Sequence, residues 1–429
     1  MDSPASRRAL AVVVLGVAVL AGGLGLLAVS LSADGGQSAT PTEVRDVGPT
    51  VSALHDAGVT GENVTVGVVD VTGFSTGARA LRGRVVDARA FGSDTSVYGD
   101  GGTHGTAAAE TVARIAPDAD LYLATVDSPK SYRRAVGWLV ARNVDVVVAP
   151  VSFYGMPGDG TSAVAEVAQS ATERGTVFVS PAGNLARSHW SGQYRPAKGG
   201  TLAFGNGTRN YLRGGGRDVT VWLSWDDAHR EQDYTADLYW TDGNERRLVA
   251  RSVPYPGDGV PNERIVARVQ SGTYYVEVRG PPNATDARLE LSSPTHQFRY
   301  ARAAGSVVAP ASATKVVSVG AYDARAGRVE PYSSRGPTPD DRNGVDLVAP
   351  SHPDVTDVEG FDGSSAAAAY AGGIAALVRD ANPGLAPPQV ERRLKETAVD
   401  VGDRGPEPVT GHGRLRPLGA VGVERNGTA

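Results

Sequence analysis

Short apolar runs recur along this chain and alternate with stretches in which apolar residues return at helical spacing. Residues 64–69, 120–126, 144–149, 176–179, 315–319 and 345–348 are apolar runs of strand length with little polar interruption. A strand of that kind is covered on both faces, which is the condition of a parallel sheet. Residues 107–115, 132–142 and 162–174 instead mix apolar and polar positions as amphipathic helices do. Alternation of the two predicts an α/β fold, a buried parallel sheet with flanking helices.

The rhythm changes between about residues 202 and 291. Val219, Val221, Leu223 and Trp225 alternate with polar neighbours, as do Ile265, Ala267 and Val269. Ser271-Gly272 then reads as the turn of a hairpin into residues 273–278. Period-two patterning with turn punctuation predicts an antiparallel, β-sandwich-like module. Helical spacing resumes after Gly363, so the module interrupts the α/β domain. The expected boundaries are 51–200 and 301–421 for the two parts of that domain and 201–300 for the insert.

Residues 9–33 carry no charge and are dominated by Ala, Val, Leu and Gly. As a helix rising about 1.5 Å per residue, that length crosses a hydrocarbon core of roughly 30 Å. Arg7 and Arg8 precede it and Asp34 follows, which orients a transmembrane helix with its N-terminus in the cytoplasm and the rest outside. Ser6-Arg7-Arg8-Ala9-Leu10 also resembles a twin-arginine export signal, and Ser30-Leu31-Ser32 offers a weak cleavage site. The alternatives are a retained single-pass anchor in the cell membrane and a cleaved signal on a secreted protein. Length favours the anchor. Residues 34–50, rich in Gly, Ser, Thr and Pro, read as a tether. Sequons at Asn63, Asn206, Asn283 and Asn426 are compatible with export.

Composition narrows the classes further. Lys and Arg total 42 against 47 Asp and Glu, a formal net charge of -5 with no basic block, which argues against a nucleic-acid partner. The absence of cysteine removes disulfides, thiolate metal sites and a Cys nucleophile together.

Four segments carry candidate chemistry. The run ending Val68-Val69-Asp70 places a carboxylate at the end of a strand, where parallel sheets gather functional groups; Asp70 could equally cap a turn. Gly102-Thr103-His104-Gly105 opens an Ala-rich helix, and small neighbours let other backbones and a substrate approach His104. Asn184, in Ser180-Pro-Ala-Gly-Asn184, either shapes a turn or aims its amide at a developing negative charge. Asp362-Gly-Ser-Ser365 leads into another Ala-rich helix, where a Ser caps the helix or sits at the positive end of its dipole.

In this order and with these local sequences, the segments resemble the subtilisin-like serine peptidases, the subtilases. Tyr332-Ser-Ser-Arg-Gly-Pro-Thr338, Asp346-Leu-Val-Ala-Pro350 and residues 382–398 are similar to further family stretches. The resemblance implies a subtilisin-like fold and a peptide-bond hydrolase acting on protein or peptide substrates. It implies a triad of Asp70, His104 and Ser365, with Asn184 in the oxyanion hole and no required metal or other cofactor. Ser152 and Gly155 resemble the edge segment that pairs with extended substrate. The β module resembles pre-peptidase C-terminal-type domains, and its acidic loops make Ca²⁺ a candidate structural ion. The chain departs from the family pattern at Val71, which separates Asp70 from Thr72-Gly73, at Glu110 in a place usually held by Gly, and at Ala369-Tyr370 in place of Pro-His. The rival expectation is a catalytically silent binding protein that uses the subtilase fold as a scaffold for its β module.

Overall fold

The computed structural model describes residues 47–423, apart from 76, 94–95, 100–102, 198, 256–258 and 354. The apolar segment 9–33 lies outside the described residues. Among those described, no helix is long and apolar enough to cross a membrane.

The chain opens with α1 (Pro49–Asp56), β1 (Thr65–Asp70), β2 (Val85–Ala90), α2 (Thr103–Ile115) and β3 (Asp120–Thr125). There follow α3 (Pro129–Val140), β4 (Val146–Val148), α4 (Ala163–Glu173) and β5 (Val177–Pro181). The β module comprises β6 (His189–Gln193), β7 (Asn210–Arg213), β8 (Asp218–Trp225), β9 (Thr235–Thr241), β10 (Arg246–Arg251), β11 (Val253–Pro254), β12 (Asn262–Arg268), β13 (Thr273–Arg279), β14 (Arg288–Ser292) and β15 (Gln297–Phe298). The chain closes with β16 (Val317–Asp323), β17 (Arg328–Val329), β18 (Leu347–Pro350), α5 (Gly363–Ala381), α6 (Pro387–Glu396) and α7 (Pro417–Val421).

One eight-stranded sheet runs in the order β17-β16-β5-β4-β1-β3-β2, with β18 also on β16. All its pairings are parallel except β16 with β17. The apolar runs fill it because both faces are covered. On one side Val66, Val68, Leu121, Val146 and Val179 pack under α2 and α5; on the other Val69, Val147 and Phe178 meet α3 and α4. β2 escapes the sequence pattern because it is an edge strand, half-exposed along Val-Val-Asp-Ala-Arg-Ala.

The β module is a sandwich. Sheets β10-β9-β13-β7-β15 and β11-β12-β8-β14-β6 enclose one core that includes Val221, Leu223, Ile265, Val276 and Leu291. Two expectations are corrected. β6 pairs with β14 from Ser292↔His189 onward, so the module begins before residue 201. The turn at Ser271-Gly272 makes no hairpin, because β12 pairs with β8 in one sheet and β13 with β9 and β7 in the other. Alternation specifies that a strand has one inward face, and either sheet of a sandwich satisfies it.

Candidate active site

Asp70 ends β1 and is fully buried, as the parallel sheet dictates for the last residue of a central strand. Its Oδ2 lies 2.6 Å from His104 Nδ1. Its Oδ1 accepts from Thr72 N–H at 2.8 Å and Thr72 Oγ1 at 2.9 Å, and that hydroxyl in turn accepts from Gly105 N–H at 2.9 Å. The extra Val71 therefore does not separate Thr72 from the carboxylate. Gly105 must lack a side chain, since a Cβ there would stand 2.3 Å from Gly73 O and 2.9 Å from Asp70 Cβ. The first turn of α2 thus presses directly onto the end of β1, and this close approach brings His104 to Asp70.

The His104 ring is partly exposed, and Phe361 packs edge-on against it at 5.2 Å between centroids. Burial pulls the imidazole pKa down, but the Asp70 charge and hydrogen bond, with Asp362 adding its charge, outweigh it and leave the pKa above the ordinary value. A carboxylate fixing Nδ1 leaves Nε2 as the nitrogen that exchanges protons.

Ser365 lies in the first turn of α5, after Asp362 at the N-cap, where the helix dipole favours negative charge. Ser364 is buried while Ser365 is half-exposed, so the two serines are not equivalent. The Ser365 hydroxyl donates to Pro150 O at 3.3 Å, at the start of the segment that leaves β4. Asn184 Oδ1 accepts from Ser364 N–H at 3.1 Å, and its Nδ2, beside the same helix start, donates to no group among the described residues. Gly363, at φ +82°, makes room: a Cβ there would lie 2.8 Å from Asn184 Nδ2.

Sequence reasoning singled out Asn184 without what holds it. Ser334 N–H donates to Gly183 O at 2.9 Å, Ser334 Oγ accepts from Leu185 N–H at 2.9 Å, and Ala186 N–H donates to Tyr332 O at 3.0 Å. The Tyr332-Ser-Ser motif is therefore the clamp on the Asn184 loop. Glu110 has a role of the same kind. Buried on α2, its Oε2 accepts from Thr356 Oγ1 at 2.7 Å and Asp357 N–H at 3.0 Å, tying the helix of His104 to the loop that leads to Ser365.

The expected substrate edge divides. Phe153 N–H donates to Ala309 O at 2.9 Å, so Ser152 and Tyr154 turn their backbone the other way. Gly155 is a correction: its carbonyl already accepts from Asn262 Nδ2 at 3.0 Å, so the β module occupies the group expected to meet substrate. Among the described residues no three His, Asp or Glu side chains converge to hold a metal ion.

Residues 299–413, which include Asn184's clamp and Ser365, match the model of the subtilase family. The α/β domain is subtilisin-like. Subtilisin E of Bacillus subtilis is 34% identical over 151 residues, 32% of this chain and 38% of that protein. Subtilisin of Bacillus pumilus is 33% identical over 151 residues, 32% of this chain and 53% of that one. The matched stretch thus spans less than two thirds of these relatives. In three dimensions the CspB protease of Clostridium perfringens superposes with a TM-score of 0.61 at 18% identity, over 86% of this chain and 94% of that one. A lanthipeptide protease gives 0.51 at 16% identity, over 88% and 94%. At such identities the structures speak for the subtilisin-like fold alone.

Proposed function

We propose that the protein is a membrane-anchored, extracytoplasmic serine endopeptidase that cleaves proteins or peptides through Asp70, His104 and Ser365. The observation that carries this reading is the buried Asp70 held 2.6 Å from His104 Nδ1, beside a helix whose first turn presents Ser365 and binds Asn184. A structural His would not need a buried, triply bonded carboxylate at its back.

In the mechanism, Ser365 Oγ turns from Pro150 O toward His104 and attacks the scissile carbonyl, and its proton passes to Nε2. Asp70 holds the tautomer and stabilises the imidazolium. The oxyanion accepts from Asn184 Nδ2 and from Ser365 N–H, groups already fixed before charge develops. Collapse expels the amine with the proton from His104, leaving an acyl-enzyme. Water, deprotonated by His104, then releases the acid and restores Ser365. No step calls on a metal.

The uncharged stretch 9–33 supports anchoring, and residues beyond it lie on the outer face by the charge rule. The place of the β module between Asn184 and Ser365 supports a part for it in substrate access or protein docking. The test is turnover of fluorogenic peptides by membranes carrying the full chain. Ser365→Ala abolishes turnover and Ser364→Ala retains it; the reverse pattern reassigns the nucleophile. Replacing residues 1–33 by a cleavable export signal moves activity from the membrane to the soluble exported fraction, and wild-type activity already found there contradicts the anchor.

A further inference from the structure

The β module meets the α/β domain at the far end of the segment that starts beside Ser365. Along β8 and β12 the inward positions Val221, Leu223 and Ile265 fill the sandwich core, so Trp222, Asn262 and Arg264 share the opposite face. That face lies on Gly155. Asn262 binds its carbonyl, and a Cβ on Gly155, already at φ +68°, would stand 2.7 Å from Trp222 Cε3. Trp222 is buried by the contact.

Arg264 sits directly across from Trp222 in the register of β12 and β8. Its guanidinium lies 5.1 Å from the Trp222 ring centroid and 5.0 Å from that of Tyr255, and the two rings meet edge to face at 4.9 Å. The side chain is half-buried, and burial lowers its pKa despite the opposing Tyr255. Arg230, Arg246, Arg251 and Arg279 of the same module each pair with an Asp or Glu. Arg264 meets no carboxylate among the described residues. A half-buried, permanently charged group on an aromatic platform, with no carboxylate partner among the described residues, has the chemistry to take an anion.

We propose that Arg264 binds an acidic side chain of the substrate where the peptide runs off the end of the 150–155 edge, making the β module a specificity element for peptides with Asp or Glu at that position. The proposal rests on the peptidase reading above. Five residue steps lead from Pro150, beside the nucleophile, to Gly155, which at about 3.3 Å per residue is at most about 17 Å and puts the acidic residue about four to six positions from the scissile bond.

The test uses the full-length protein and a peptide series in which Glu, Gln or Lys is moved through six positions on each side of the cleaved bond. Wild type favours Glu over Gln at one distal position by about three- to tenfold in kcat/KM, mainly through KM, and the preference shrinks as salt rises. Arg264→Gln removes the preference without changing turnover of an all-neutral peptide, and Arg264→Glu inverts it toward Lys. The unfolding midpoint of each variant separates lost recognition from lost folding. Anisotropy measured on Ser365→Ala separates the two readings. Glu-selective binding that requires Arg264, without wild-type turnover, keeps this site and removes the peptidase. Turnover with no Glu preference, or with one indifferent to Arg264→Gln, overturns the proposal.

Discussion

Replacing Thr72 by Val keeps the shape of the side chain and deletes one hydroxyl, which makes it a direct probe of how Asp70 and His104 are held. The hydroxyl donates to the buried Asp70 carboxylate at 2.9 Å and accepts from Gly105 N–H at 2.9 Å. Losing the first removes a hydrogen bond to a charged group, worth about 1.5–3 kcal/mol; losing the second strands a buried donor, at about 1–3 kcal/mol. Thr72 is half-exposed and Asp70 keeps its bond from Thr72 N–H, so water relieves part of both. The expected net loss is about 2–3 kcal/mol in unfolding free energy. Gly105 follows His104 directly, so a shift there also turns the imidazole, and a drop in kcat of about ten- to a hundredfold with little change in KM follows. Urea unfolding and steady-state kinetics on one preparation read both effects. A variant with full kcat, or with stability within about 0.5 kcal/mol of wild type, would refute the view that Thr72 is the positioning residue for the pair.

Three further outcomes follow from the same geometry. Asn184→Ala lowers kcat by about 10²–10³ with KM nearly unchanged, because the amide bonds the oxyanion and not the ground-state carbonyl; a destabilised variant with normal kcat would reduce Asn184 to a turn residue. Peptidase activity needs neutral His104, whose pKa lies above its ordinary value, so kcat/KM rises with pH through an acid limb above about 6.5. Asp362→Asn removes one of the two negative charges facing that ring and moves the limb to lower pH; an unmoved limb counts against the coupling. The same raised pKa contributes stability that is fully present below the unfolded value and lost as pH rises through the folded one. Glu110→Ala leaves Thr356 and Asp357 N–H without their acceptor and costs about 1–3 kcal/mol in stability, read by thermal unfolding, and a neutral result would make Glu110 a passive replacement for glycine.

What the sequence disclosed, and what it hid, follows from which contacts are local. The central strands were legible because burial on both faces leaves few polar positions to confuse the pattern, and β2 was not because an edge strand with no fully buried position carries no such run. Asp70, His104, Asn184 and Ser365 were candidates through the order and local sequences of four segments taken together, and the structure brings Asp70 to His104 and Asn184 to the start of α5. The groups that hold them were less legible, since the bond from Leu185 N–H to Ser334 and that from the Thr356 hydroxyl to Glu110 join positions far apart in the chain. Val71 read as a departure because spacing along the chain stood in for position in space; the Thr72 hydroxyl still reaches Asp70. Gly155 read as a substrate contact, but Asn262 and Trp222, which cover it, come from a module whose docking no local pattern records.

The central claim is that Ser365 is the nucleophile of a working Asp–His–Ser site, and site-mapped labelling with a fluorophosphonate tests it most directly. The account predicts one adduct per folded molecule in the intact mass, located by peptide mapping on Ser365, absent from Ser365→Ala and retained in Ser364→Ala. Folded wild type that takes up no adduct, or an adduct that persists in Ser365→Ala, would contradict it.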